Sequence, residues 1–389
     1  MGSCYKENTK RTIKQRYKEN NIKQSNFTTN QTNSYTRTTN ENNKKQNKVK
    51  TQINEESREM NKRIFNPKGL INLGLSCYMN SLLQCFFYIK DLREYFIKNK
   101  TKFSEQPVCK ALAQVMYDLK NGEGDTIMPK AFKDIMGLKN NLFSGIKAGD
   151  AKDLYFNLID SLLTELINDG SQISSKRSYN ISDKSEMFYV TKKEVDKKCI
   201  INNLFIGYYE TEYKCPNGGF IYSFESTSFI LFDLINIYNY YGHDQLSIEK
   251  CFKYFIRNQK KNSFYCNKCG SIQTGSSKEK IYQPPKILVI ILYRGKGKVF
   301  RGKVEFDITL DLKEYIDKEN NNYNSNYELI GVIIHSGESS SSGHYTACCL
   351  TDNHKYYYFS DDYKKPINEN YLNNNEPYLL FYQKIKHNN

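Results

Sequence analysis

The spacing of apolar positions changes twice along the chain. Through residue 63 they are sparse and fall on no stripe. From Ile64 they take a helical period: Leu82, Leu83, Phe86, Phe87, Ile89, Leu92, Tyr95 and Phe96 share one broad face, which predicts a helix over 77–98. Further helices are expected at 107–120, 129–137 and 150–168, the last reading DAKDLYFNLIDSLLTELIND and ending near Gly170. Residues 171–198 are polar and rich in Ser and Lys, and read as an insertion loop. Beyond them the period shortens. Aromatic or β-branched runs bounded by Gly, Asn and Pro at 204–214, 220–232, 281–293, 299–307, 327–335, 344–350, 355–360 and 378–385 predict antiparallel strands. Helices first and strands later predict an α+β fold with a cleft between two halves. No internal repeat interrupts this order.

Composition sharpens the division. Residues 1–63 carry 15 Lys/Arg against 6 Asp/Glu, which is +9 of the chain's net +15. Such a segment cannot bury enough apolar surface to offset its chain entropy, so it is expected to be a disordered basic arm. It lacks the aromatic interleaving of a platform for stacking bases, so no specific nucleic acid is expected as a partner. The remaining 326 residues suffice for a substantial core, and with no Trp the aromatic packing falls to Tyr and Phe. No apolar run approaches the roughly 20 residues of a membrane span, and the start lacks the apolar stretch of a signal peptide. A reducing compartment follows as the expectation, cytoplasmic or nuclear, in which the 11 cysteines are thiols, metal ligands or a nucleophile. Met1-Gly2-Ser3-Cys4, with Lys6, Lys10, Arg11, Lys14 and Arg16 behind it, offers acylation sites and a polybasic second signal. Membrane anchoring is expected only if Gly2 or Cys4 is acylated, and Lys6 stands where the myristoylation motif has Ser or Thr.

Within GLINLGLSCYMNSLLQ, residues 69–84, Cys77 stands where a glycine-bearing loop meets the first helix, whereas Cys85 falls inside the apolar stripe. Unpaired N–H groups at a helix start favour a thiolate. A thiol nucleophile also needs a base. Of five histidines, His344 lies in SGESSSSGHYTA, a small-residue loop running straight into a strand, which suits an imidazole at a cleft edge. Ser360, Asp361 and Asp362 in YYYFSDDY follow at a distance that lets one of them orient that ring. Asn72, five residues before Cys77, can offer an amide to an oxyanion beside the Cys77 N–H. Asp150 and Asp153, at i and i+3, share a helix face on which they can grip cations or compensate the helix dipole.

Together, GLINLGLSCYMNSLLQ, SGHYTACCL and YYYFSDDY resemble the cysteine and histidine boxes of the ubiquitin-specific proteases, papain-like cysteine deubiquitinases. AGDAKDLYFNLIDSLL, PPKILVIILYR and VEFDITLDLKEYI are similar to further elements of that family, in its order, over about 64–386. The resemblance implies a hand-like catalytic domain over 64–386, with a helical thumb at about 69–198 and a β palm and fingers at about 199–386. It implies an isopeptidase that hydrolyses the bond after ubiquitin's C-terminal Gly, with ubiquitin or ubiquitinated proteins as partners. Cys77 is then the nucleophile, His344 the base, Asn72 the oxyanion donor, and Asp150 and Asp153 the holders of the arginines in ubiquitin's tail.

Two departures stand out. Ser360 occupies the place where the family usually has the Asp or Asn of its triad, so Ser360 is expected as the direct partner of His344 and Asp361 as an indirect or oxyanion-side group. The family's zinc site uses two CxxC knuckles; Cys266 and Cys269 form one, but Cys215 is followed by Gly218 where the fourth thiolate would be. The expectation is that no cofactor is required, with a structural zinc on Cys215, Cys266 and Cys269 as an incomplete option, and that chelators leave activity and Tm nearly unchanged. The alternatives are an inactive ubiquitin-binding relative and a protease for another ubiquitin-like modifier.

Overall fold

The computed structural model describes residues 66–167, 184–195, 199–217, 219–266, 268–296, 300–317, 324–339 and 342–386. The basic arm at 1–63, with Gly2 and Cys4, lies outside the described residues, as does Gly218. The helical half opens on β1 (Gly69–Leu70), which pairs in parallel with β2 (Thr126–Ile127). The helix expected over 77–98 is two helices, α1 (Cys77–Tyr88) and α2 (Lys90–Lys98), separated at Ile89 by extended backbone. The break has a physical reason: all twelve side chains of α1 are buried, so it threads the core, whereas α2 buries only Leu92, Arg93 and Phe96 and must lie along the surface. The Arg93 guanidinium donates to both carboxylate oxygens of Asp352, at 2.8 and 3.1 Å, tying α2 to the β half.

α3 (Pro107–Asn121) starts on a proline that needs no N–H partner at that position, and α4 (Lys130–Lys139) follows. α5 (Ala151–Leu166) is capped by Asp150, whose carboxylate accepts from the Lys152 N–H at 2.7 Å. The expected insertion loop at 171–198 is in part a helix, α6 (Lys184–Val195). Lys184 binds buried Glu210 at 2.9 Å and Asp317 at 3.3 Å, and the Phe188 ring packs among Tyr208, Phe224 and Tyr282. Tertiary partners thus make a helix of a segment whose composition is polar.

α7 (Ile200–Phe205) takes the start of the strand expected at 204–214, which is β3 (Gly207–Lys214). The run at 220–232 divides into β4 (Phe220–Thr227) and β5 (Ile230–Asp233). α8 (Leu234–Tyr240), β6 (Leu246–Ser247), α9 (Ile248–Ile256) and β7 (Asn258–Cys266) come next. The run at 281–293 is broken by Pro284-Pro285, which cannot donate to a ladder, into the end of β8 (Ser271–Gln283) and all of β9 (Ile287–Tyr293). Of 299–307 only β10 (Val304–Glu305) is strand among the described residues. β11 (Thr309–Asp311), β12 (Asn326–Ser339), β13 (Ser342–Leu350), β14 (Tyr356–Ser360), β15 (Tyr363–Ile367) and β16 (Pro377–Lys384) complete the chain.

The main sheet runs β15-β14-β13-β12-β16-β9-β5, with β11 on β12, and β5 pairs with β9 in parallel rather than antiparallel. A second sheet, β4-β3-β8-β7, stands apart from it. β9 reads ILVIILY because both its faces are covered. Ile287, Val289 and Ile291 enter one apolar core with α1, α3 and α5, while Leu288, Ile290 and Leu292 enter another with α8 and α9. α1 therefore lies across the sheet, and its first residue meets the end of β13 that carries His344.

Candidate active site

The residues before α1 form a tight loop in which Asn72 Oδ1 accepts from the Ser76 N–H at 3.0 Å and Ser76 Oγ from the Leu73 N–H at 2.8 Å. This loop turns sharply at Gly74 and Leu75, both with positive φ, and delivers Cys77 as the first helical residue. The backbone N–H groups of Tyr345, Tyr78 and Cys77 lie around the Cys77 sulfur. These amides act to lower the thiol's pKa, as a helix start should, yet burial outweighs them and the net shift is upward, with the nearby Asp361 charge adding to it. The helix mouth therefore does not by itself supply a thiolate. A base beside it is needed.

Tyr345, whose amide lies by the sulfur, is the residue after His344, so β13 carries His344 to the end of the strand that meets the start of α1. Gly343 makes that approach possible: its φ is +154°, and a Cβ there would lie 2.6 Å from both Ser336 O and His335 Nε2. His344 Nε2 stands 2.8 Å from Ser360 Oγ at the end of β14, and 3.9 Å from Asp361 Oδ2. With the ring proton on Nε2 donated to the Ser360 hydroxyl, Nδ1 keeps its lone pair for the thiol proton.

Neighbouring strand residues face opposite ways, so Ser360 and Asp361 cannot both serve one site from a regular strand. The structure resolves this with a turn. β14 and β15 are joined by Asp361-Asp362 alone, and Asp361 adopts φ +54°, a left-handed conformation that Asp tolerates. Its carboxylate then accepts from Asn72 Nδ2 on Oδ2 and from Asn80 Nδ2 on Oδ1, each at 2.8 Å. The turn is seated against β1: the Leu70 N–H donates to Asp361 O at 2.8 Å, and a Cβ on Gly69 would meet Asp362 O at 2.3 Å.

Asn80, Gly69 and Gly343 are the site residues that sequence reasoning missed. Asn80 had a signal, since it sits three residues after Cys77 on a helix buried on every face, where an amide demands partners. Asn72 is reached but engaged: one N–H of its amide is spent on Asp361, leaving the other for a substrate oxygen. The two acids of α5 divide their tasks. Both oxygens of Asp150 accept from Tyr378 OH, at 2.9 and 2.8 Å, besides capping the helix, and burial pushes its carboxyl above the usual range. Asp153 is more open and is paired with Lys152.

Far from this cluster, Cys215, Cys266 and Cys269 converge with all three sulfurs within 4.8 Å of one another. Cys215 Sγ and Cys269 Sγ are 3.6 Å apart, close to the roughly 3.8 Å between thiolates on one tetrahedral zinc. Asn217 Nδ2 donates to Cys269 Sγ at 3.4 Å, so the cluster has a polar neighbour as well as its three sulfurs. The donor set fits a metal ion at three positions. Among the described residues no helix is long and apolar enough to cross a membrane.

The family model for ubiquitin carboxyl-terminal hydrolase matches residues 68–382. Ubiquitin carboxyl-terminal hydrolase 4 of Arabidopsis thaliana is 27% identical over 296 residues, covering 69% of this chain and 77% of that protein. Ubiquitin carboxyl-terminal hydrolase 2 of Rattus norvegicus is 26% identical over 336 residues, 81% of this chain but 53% of that protein, so the chain spans about half of its length. Among solved structures, the SAGA DUB module Ubp8/Sgf11/Sus1/Sgf73 bound to monoubiquitin has a chain that superposes with a TM-score of 0.66 at 19% identity, covering 82% of this chain and 70% of that one. The same module bound to ubiquitin aldehyde gives 0.65 at 21% identity.

Proposed function

The chain belongs to the ubiquitin carboxyl-terminal hydrolase family, and from that premise we propose that it is a cysteine-type deubiquitinase acting through Cys77, His344 and Ser360. The observation that carries the reading is the His344 Nε2 to Ser360 Oγ contact of 2.8 Å, made one residue from Tyr345, whose amide acts on the Cys77 thiol. Because burial keeps the resting thiol protonated, His344 Nδ1 takes the Cys77 proton as the sulfur attacks the carbonyl after ubiquitin's terminal Gly. The Cys77 N–H and the second N–H of Asn72 receive the oxyanion. His344 returns its proton to the leaving amine, and water then hydrolyses the thioester by the reverse use of the same base. A panel of electrophilic probes made from ubiquitin and from other ubiquitin-like modifiers tests this. Covalent capture of the ubiquitin probe alone is expected; capture of another modifier instead, or of none, would sink the reading. The cysteines among the described residues are free thiols, which fits work in the cytoplasm or nucleus.

Asp153 is the better candidate for ubiquitin's tail arginines, since both oxygens of Asp150 are already occupied. Asp153→Arg is expected to raise KM about tenfold or more with kcat within a few-fold, the pattern of lost uniform binding. Steady-state kinetics on a ubiquitin C-terminal amide decides, and an unchanged KM would remove Asp153 from the site.

For the cysteine cluster, zinc is the ion that fits three sulfurs at this spacing, with an exchangeable ligand in the fourth place. When bound, it supplies only cross-linking of the β7–β8 turn to the end of β3. Elemental analysis of protein purified without chelator is expected to find up to one zinc per chain, lost on treatment with EDTA together with a fall of a few degrees in Tm. Protein that is metal-free yet has the same Tm would return the site to the metal-free expectation drawn from its missing ligand.

A further inference from the structure

His344 is held by little of the sheet that carries it. It opposes Ser336 on β12, but the register of that pairing shifts directly beyond, between Ser336 and Ser339. On its other side β13 pairs with β14 only from Ala347 onward, so among the described residues His344, Tyr345 and Thr346 have a strand on one flank alone. An imidazole at the loose end of a strand keeps one orientation only if neighbouring groups fix it. His335, buried on β12 at 7% exposure, is placed to do so from both sides. It is the cross-strand partner of Tyr345, and the two rings lie with centroids 4.3 Å apart at 33°. Its Nε2 edge lies against Gly343, where a Cβ would come within 2.6 Å of that nitrogen. His335 therefore packs on the residue before His344 and on the residue after it. The ring cluster continues to Tyr378 on β16, whose centroid is 6.0 Å from that of Tyr345 and 6.4 Å from that of His335. The Tyr378 hydroxyl donates to Asp150 at the cap of α5, so three strands and a helix are tied together where His344 leaves the sheet.

We propose that His335 is a positioning residue, which rests on His344 being the base of the proposed hydrolysis: its ring braces Gly343 and Tyr345 so that His344 keeps Nε2 on Ser360 and Nδ1 free for the Cys77 proton. A side chain that merely filled this space could be any apolar group of similar volume. The brace needs a flat ring, because it sets a face on Tyr345 and a thin edge against Gly343, whose missing Cβ leaves the room. Without the ring, His344 turns away from Ser360 while the rest of the fold stands. Misplacing a reacting group by about 1 Å costs roughly a hundredfold in rate, so the loss falls on the chemical step rather than on binding of ubiquitin.

Two readouts on the full chain test it: steady-state kinetics on a ubiquitin C-terminal amide, and the ring-nitrogen NMR signals of His344, identified by their loss in His344→Gln. At about pH 8.5, where an imidazole is neutral, the wild-type chain is expected to show His344 as the Nε2–H tautomer alone. His335→Ala is expected to mix the two tautomers and to lower kcat about ten- to a hundredfold, with KM within about threefold. His335→Phe keeps the flat ring and is expected to keep the single tautomer, with kcat within about threefold of wild type. His335→Leu, which keeps volume without a flat face, is expected to follow His335→Ala and takes its place if the alanine variant does not fold. Near-normal kcat with a single tautomer in the alanine or leucine variant would overturn the proposal. A phenylalanine variant as impaired as the alanine one, or a loss confined to KM, would overturn it as well. A wild-type chain that neither turns over nor captures a ubiquitin probe would count against the deubiquitinase reading, and the tautomers of His344 in the variants would still decide for or against the brace.

Discussion

Cys77→Ala abolishes both turnover and capture by a ubiquitin probe, whereas Cys85→Ala keeps both; this pair of results is expected from position rather than from thiol acidity. Cys85 lies eight residues further along α1, with its sulfur 3.8 Å from Cys349 in the closed core, where no substrate carbonyl reaches. Cys77 is also largely buried, and burial raises its pKa above the ordinary thiol value. What separates the two is the neighbour at each. Cys77 lies beside Tyr345, the residue after His344 on β13, with three amides around its sulfur, and the proposed mechanism gives its proton to His344. The loss on Cys77→Ala is therefore complete, because the remaining oxyanion donors have no intermediate to stabilise. A second consequence follows from the sign of the shift. Since the thiolate fraction of the resting protein is small, alkylation of Cys77 by iodoacetamide is expected to rise with pH through and beyond the ordinary thiol range. A plateau already reached at about pH 6 would mean a standing thiolate–imidazolium pair and would overturn the account of His344 as a base acting during attack. Labelling that persists in Cys77→Ala would remove Cys77 as nucleophile altogether.

How far the sequence carries the site is visible in individual residues. Cys77 and His344 are legible because each sits in a local pattern, a glycine loop opening a helix and a small-residue loop opening a strand, whose physics is short-range. The β9 run is legible as a strand for the same reason, although neither its parallel partner β5 nor the break at Pro284-Pro285 is. Ile89 is not, because the break between α1 and α2 comes from where their two faces must go rather than from any helix-stopping residue. α6 is not, because its anchors, Glu210 and Asp317, are distant in sequence. β7 is also unread: its residues, NQKKNSFYC, lack the alternation of a half-buried strand. The conformation of Asp361 belongs with these. Periodicity places Ser360 and Asp361 on opposite faces, and only the two-residue turn with φ +54° brings both to one side.

That turn gives the last prediction its form. Ser360 Oγ is in direct contact with His344 Nε2, while Asp361, at 3.9 Å from the same nitrogen, spends its oxygens on Asn72 and Asn80. Ser360→Ala is expected to lower kcat roughly ten- to a hundredfold with KM little changed, because the ring loses the acceptor that fixes its tautomer. Ser360→Asp is expected to keep or raise kcat, since a carboxylate accepts the same bond and stabilises the imidazolium. Asp361→Ala acts by another route. It frees the Asn72 amide, which then no longer points its second N–H at the oxyanion, and removes the one side-chain partner that the buried Asn80 Nδ2 has among the described residues, its other bonds going to Leu70 O and Ile71 O. The loss in kcat is expected to be roughly a hundred- to a thousandfold, that of an oxyanion donor, with about 1–3 kcal/mol of stability lost in addition. Because Asp361 and Asn72 act as one unit, Asn72→Ala should cost about as much as Asp361→Ala, and the double variant little more than either. Ser360 and Asp361 act on different groups, so their effects on the barrier should come close to adding. A nearly silent Ser360→Ala beside an inactive, fully stable Asp361→Ala would reverse the assignment, making Asp361 the group that holds His344 and leaving Ser360 as a bystander at the end of its strand.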